Sequence, residues 1–262
     1  GKYGMISAFG TSWGDYAAQA GTWAMGAGLW DNMISYQTPT FAGFTVYAQY
    51  GMGNKVDGTN KNQAAGKYGA ENESSSDRYY ALGATYANGP MNLYFAVDSI
   101  NYASATTVGG ETKVADVDDS LTVTLGGNFD FEVVKLFAGA QYFDEIKLSN
   151  MKGAVQLEQT NFAGKMKGWS LGVSASIPAA GGTVLVGAAY LDAEAADSVT
   201  STAKDDELNR WIVSAGYDYP FSKRTDVYGV VTYNQDQMDS KNTANDRDPS
   251  VYGVMVGLRH KF

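Results

Sequence analysis

Strand-like segments run the length of this 262-residue chain, and the connections between them alternate between short and long. Short ones fall at residues 39–43, 87–90, 130–132, 178–182 and 220–224. Long ones fall at 12–32, which is rich in Gly and aromatics, and, with polar composition, at 53–77, 102–119, from 144 to about 165, 192–207 and 235–249. Between them lie about twelve period-two runs, at 3–11, 33–38, 44–52, 78–86, 91–101, 120–129, 133–143, 167–177, 183–191, 208–219, 225–234 and 250–262. A soluble sandwich has similar strand spacing but no reason to alternate loop length. A barrel standing in a bilayer has such a reason, because its two ends face different compartments. Several runs also reach the length that a tilted strand needs to cross a membrane.

Each run separates two kinds of side chain. Trp211, Val213, Ala215, Tyr217 and Tyr219 fall on one face, and Arg210, Ser214, Gly216 and Asp218 on the other. Trp169, Leu171, Val173, Ala175 and Ile177 oppose Ser170, Gly172, Ser174 and Ser176. Leu121, Val123 and Leu125 oppose Thr122, Thr124 and Asn128, and Leu93, Phe95 and Val97 oppose Asn92, Tyr94 and Asp98. The polar faces are built of Ser, Thr and Gly with few charges, where the exposed face of a soluble sheet usually carries Lys and Glu. The alternation predicts an all-β, transmembrane antiparallel β-barrel with a lipid-facing and a lumen-facing side. The mean hydropathy of -0.26 fits, since alternation averages the two faces. No run is apolar enough for a membrane-spanning helix.

The chemistry available is narrow. There is no cysteine and one histidine, His260, whose phase with Leu258 puts it on the outer face. A Ser-His-Asp triad or a multi-histidine metal site cannot be built around it, so the chain reads as no enzyme, with no cofactor and no metal. The acids of 116–119 and 236–239 lack the EF-hand spacing and read as solvated loops. A net charge of -9 argues against nucleic acid as a partner.

The ending Tyr252-Gly253-Val254-Met255-Val256-Gly257-Leu258-Arg259-His260-Lys261-Phe262 resembles the assembly signal of outer membrane proteins, carried by Tyr252, Leu258 and the terminal Phe262. The final Gly-Leu-Arg-His-Lys-Phe is similar to that of betaproteobacterial general porins. So are residues 33–50 (MISYQTPTFAGFTVYAQY), and 220–226 resemble the family's last periplasmic turn. The resemblance implies a homotrimer of 16-stranded barrels in the outer membrane, contacting lipid and lipopolysaccharide and passing ions and small hydrophilic solutes passively. The competing readings are an outer membrane adhesin and a solute-specific channel. It also implies one barrel domain over 1–262 whose N-terminal strands are missing, with residues 3–11 as the fifth strand.

In that family the third external loop folds inward and narrows the pore. Residues 12–32 take its place here, with Trp13, Asp15, Tyr16, Trp23, Trp30 and Asp31 as the constriction set, interspersed with small residues that allow packing inside a lumen. The expected lumen-facing basic residues are Lys135, mid-strand in 133–143, together with Arg210, Arg259 and Lys261. The family often places arginines where this chain has Gly10 and Ser35, which weakens the expectation of an anion filter. Loop acids, among them Asp116, Asp118, Asp119, Asp205, Asp206 and Glu207, oppose the basic wall, and ion preference stays open.

Overall fold

A computed structural model of the chain describes residues 3–10, 21–24, 33–55, 76–102, 105–108, 111–114, 117–147, 163–200, 202–240 and 246–261. The strands are β1 (Met33–Gln37), β2 (Phe44–Lys55), β3 (Ser76–Asn88), β4 (Met91–Asn101), β5 (Ala105–Val108), β6 (Glu111–Val114), β7 (Leu121–Asp130), β8 (Lys135–Lys147), β9 (Lys165–Ala179), β10 (Gly182–Ala195), β11 (Glu207–Pro220), β12 (Thr225–Asp239) and β13 (Ser250–His260). Eleven of them form one antiparallel sheet in chain order, from β1 to β13; β5 and β6 pair only with each other. This small hairpin lies within the stretch expected to be a plain loop. Within this chain, β1 pairs only with β2 and β13 only with β12, so the sheet has two edges among the described residues.

The predicted alternation of connections holds. Ala180 and Gly181, at φ 50° and 80°, make the two-residue turn between β9 and β10. Gly89, at φ 55°, opens the turn between β3 and β4, and Pro90 closes it with its fixed φ. Both turns need a positive φ that glycine supplies without strain.

The two faces separate as their phases predicted. Leu125, Val173, Val213 and Val231 stand 42–60% exposed, while Thr124, Ser174, Ser214 and Thr232 beside them are buried. Aromatic rings collect in two bands on the exposed face. At the short-turn end Phe44 meets Tyr86 at 4.5 Å and Phe129 meets Phe131 at 4.5 Å. At the loop end Trp169 meets Tyr190, Trp211 meets Tyr233 at 5.0 Å, and Tyr233 meets Tyr252 at 4.7 Å. From Trp211 to Tyr219 the strand rises roughly 27 Å, about 20 Å along the membrane normal at a usual tilt. That separation sets the rings at the two interfaces of a hydrocarbon layer, where amphipathic rings are most stable.

Two expectations about the barrel strands fail. Expected as a strand over 3–11, the chain forms none in its described part, residues 3–10: Tyr3–Met5 form a short 3-10 turn, and Ile6 and Phe9 are buried, at 0% and 1% exposed. The apparent alternation came from residues packing against a wall, and nothing pairs them into the sheet. Lys135 is the first residue of β8, not its middle, because Phe131 and Val134 close the preceding turn through a Phe131 N–H to Val134 carbonyl bond of 2.9 Å.

At the loop end two carboxylates tie separate connections together. A bulge in β8 gives Glu145 a φ of 52°, and its carboxylate accepts from Lys165 Nζ (2.9 Å), Ser198 N (3.0 Å) and Ser198 Oγ (2.5 Å). Asp206 was read among the acids of the long loops. It is instead fully buried, accepting from Ala163 N (2.9 Å) and Ser240 Oγ (2.6 Å).

Candidate functional site: the inner wall and the segment lying on it

The concave face of β7 to β12 carries small side chains in adjacent strands. Gly126 pairs with Gly139, and Gly139 with Gly172; Gly187 lies between Ser174 and Ser214. Such a surface leaves room for backbone. Residues 3–10 and 21–24 fill it.

The first limb crosses the wall strand by strand. Asn128 Nδ2, itself oriented by Asn92, donates to the Met5 carbonyl at 2.8 Å. Ile6 lies over Gly126 and Gly139: a Cβ on Gly139 would come within 3.2 Å of Ile6 Cβ and 3.0 Å of the Trp23 ring. Ala8 N donates to Ser174 Oγ at 2.9 Å on β9. Phe9 reaches Gly187 on β10 and Gly216 on β11, where added methyl groups would stand 3.2 and 3.6 Å from its ring.

The second limb runs back nearer the loop end. Arg210 Nη1, on β11, donates to the Gly21 carbonyl at 2.8 Å. Gly21 sits so close that a Cβ would meet Ile212 Cδ1 at 2.7 Å. Trp23 is 2% exposed, and Ala24 N donates to Gln141 Oε1 on β8 at 2.7 Å. Gln141 is held in turn by its Nε2 bond to Thr124 Oγ1, 2.9 Å. Between Gly21 and Ala24 the limb passes the two intervening strands, β9 and β10.

The expected site residues divide. Trp13, Asp15, Tyr16, Trp30, Asp31 and Phe262 lie outside the described residues. Trp23 is on the inner wall. Arg210 faces inward as its phase required, but it is fully buried and its Nε and Nη2 bind Asp236 at 2.5 and 2.7 Å. Arg259 also faces inward, at the turn end, with Nε at 3.0 and 2.9 Å from Asp226 and Nη2 at 3.1 Å from Asp218. Both arginines therefore carry their charge against carboxylates. Lys135 is on the same face as Phe137, its Nζ 5.5 Å from the ring. Lys261 is exposed, with its N–H on the Arg224 carbonyl at 2.8 Å. Tyr252 and Leu258 stand 78% and 66% exposed on the outside of β13, and His260 Nδ1 meets Thr225 Oγ1 at 2.8 Å. Asp119 accepts two bonds from Asn101 Nδ2, at 3.0 and 2.8 Å.

Sequence reasoning missed Ile6 and Phe9 as lumen-filling residues, and Asn128, Gln141 and Ser174 as seats for the backbone of the two limbs. One signal was present: the glycines of β7, β8 and β9 at register-matched positions, which deplete one patch of the wall of side chains.

Comparison with known proteins places this architecture. A family model described as Gram-negative porin matches residues 1–255. An outer membrane porin protein of Bordetella pertussis is 30% identical over 271 residues, which take in 99% of this chain and 65% of the relative. Outer membrane porin protein 32 of Delftia acidovorans is 28% identical, across 92% of this chain and 60% of the relative. The chain thus spans 60–65% of the length of these curated relatives. An anion-selective porin from Comamonas acidovorans superposes with a TM-score of 0.57 at 25% identity, covering 92% of this chain and 64% of that one. The trimer form of OmpT from Vibrio cholerae shares the fold, with a TM-score of 0.56 at 14% identity, covering 98% of this chain and 74% of the other. An eleven-stranded sheet with an apolar outside, a polar inside and a segment seated on its inner wall is thus matched by a family model over nearly its whole length, and the chain belongs to the Gram-negative porin family.

Proposed function

We propose that this chain forms most of the wall of an outer membrane porin, a water-filled channel through which ions and small hydrophilic solutes diffuse passively. The observation that carries the reading is the division of the sheet. One face is apolar between two aromatic bands, and the other is polar and carries a chain segment across its width. A lipid-facing outside with a hydrated, narrowed inside is the physical requirement for a pore. One seated limb, residues 3–10, precedes residues 12–32 and the other, residues 21–24, lies within them, so Trp13, Asp15, Tyr16, Trp23, Trp30 and Asp31 are assigned to the constriction. Its first limb starts earlier than the sequence implied, at residues 3–10. Lipid and lipopolysaccharide surround the barrel in a Gram-negative outer membrane, and three copies associate, in keeping with the trimer form of the Vibrio cholerae neighbour. Closure into a 16-stranded barrel requires partner strands along the open edges of β1 and β13, since an unpaired edge in hydrocarbon is very unfavourable. Nothing in the reading involves conversion of a substrate.

The Comamonas acidovorans neighbour is anion-selective. Here Arg210 and Arg259 are each set against aspartates, so their charges contribute little to an anion field. Lys135, over a ring rather than a carboxylate, is the wall cation assigned to ion preference.

The test is planar-bilayer recording of the intact detergent-purified protein under a salt gradient. Conductance arriving in steps of three supports a trimeric pore, and the reversal potential gives its ion preference. Folded, heat-modifiable protein that conducts nothing would overturn the channel reading.

A further inference from the structure

We infer that Arg210 and Asp236 are a positioning pair that fixes the returning limb of the inner segment, and not charges that filter permeating ions. The inference rests on the channel reading for its consequence on flow, but its geometric content stands apart from it.

Three observations converge. First, both side chains are fully buried, so neither is open to a passing solute. Second, the pair is bidentate and net neutral: Nε and Nη2 meet the two carboxylate oxygens at 2.5 and 2.7 Å across directly opposed positions of β11 and β12. A planar guanidinium held on two edges has a fixed orientation. Third, that orientation aims Nη1 at the Gly21 carbonyl, 2.8 Å away. The carbonyl belongs to a residue with no side chain to keep it off the wall; a methyl group there would strike Ile212 at 2.7 Å. Asp236 therefore orients Arg210, and Arg210 sets where residue 21 meets β11. Gln141, at 2.7 Å from Ala24 N, fixes the far end of the same limb on β8. The width left open beside the limb follows from these two points.

The experiment compares wild type with the double variant Arg210→Met/Asp236→Leu, which removes both charges and leaves neither buried alone. Amide hydrogen exchange in detergent and bilayer conductance are read on the same preparations. Loss of this charge-assisted bond should speed exchange at Trp23 and Ala24 on the order of 10- to 100-fold, with β11 and β12 unchanged. Conductance should rise and grow noisier while the reversal potential stays put, because a neutral pair was removed. The matching double variant at the turn end, Arg259→Met/Asp226→Leu, should leave exchange at residues 23 and 24 at the wild-type rate. Exchange at those residues unchanged in the folded Arg210/Asp236 variant would overturn the inference. So would acceleration spread over the whole of β11 and β12, which marks a merely structural pair, or a shifted reversal potential, which marks a filter. Wild-type protein without conductance would overturn the channel reading alone; the exchange measurement would still decide the placement.

Discussion

The walls formed by β1–β4 and by β7–β12 are paired by the same antiparallel ladder, yet they treat their inner space differently. On β2, β3 and β4 the inward positions include Tyr47, Tyr79 and Tyr94. On β7 to β11 they include Gly126, Gly139, Gly172, Gly187 and Gly216. Among the described residues the inner segment is held at Asn128, Gln141, Ser174 and Arg210, all on the second wall. Ladder hydrogen bonds come from backbone and are indifferent to what projects inward. A sheet can therefore specify where a foreign segment lies by leaving side chains out, while the strands themselves form as well as before.

The sharpest way to break that comparison is Arg210→Ala. It strands Asp236 as a buried, unpaired charge on the seated wall, and the folded state should lose about 3–5 kcal/mol. Urea unfolding followed by heat-modifiability would measure it, and adding Asp236→Leu should recover most of the loss. A smaller effect tests the glycine seat directly. Gly139→Leu pushes into Ile6 and Trp23 and should destabilise by roughly 1–3 kcal/mol. Ala81→Leu, an inward substitution on the other wall, should stay within about 0.5 kcal/mol. Equal costs at the two positions would erase the distinction between the walls.

These two tests also show what could be read in advance. The strands were legible because lipid and water impose a strict two-residue beat on every crossing. Residues 3–10 imitate that beat, since a segment pressed between a wall and a lumen also alternates buried and open sides; only the tertiary contact with Gly126 and Gly187 distinguishes it. The inward phase of Arg210 was legible, and its partner was accessible too. Arg210 and Asp236 lie equally far from the turn that joins Pro220 to Asp226, so a hairpin folded there must oppose them. The burial of Asp206 had no such local signal, because its partners come from two other connections.

Lys135→Glu is a gentler test, altering charge on the seated wall without disturbing its packing. The reversal potential should move toward cations, and an unmoved value would place Lys135 away from the ion path. A test confined to alkaline pH lies just past the loop-side end of β4. Burial pushes the Tyr102 phenol up to about 12, so it stays protonated where an unfolded tyrosine begins to ionise near 10. Because the folded value is the higher, the stability this group contributes is complete below about pH 10 and is lost as pH rises toward 12. Ultraviolet titration of phenolate, compared with Tyr102→Phe, would report it; ionisation at the unfolded value would show that the site is open to water.

The knot of Glu145 and Asp206 bears on how the molecule looks to anything that approaches the loop end. Ser198 and Asp206 come from one connection, Ala163 and the adjoining first residue of β9, Lys165, from a second region, and Ser240 from a third, yet two carboxylates bind them into one patch. An antibody or phage receptor-binding protein landing there reads an assembled epitope rather than three separate hairpin tips. Recognition of that kind vanishes on denaturation and escapes detection by short linear peptides. A single residue exchanged at Asp206 would release Ala163 N and Ser240 Oγ together, so one substitution is felt in all three connections.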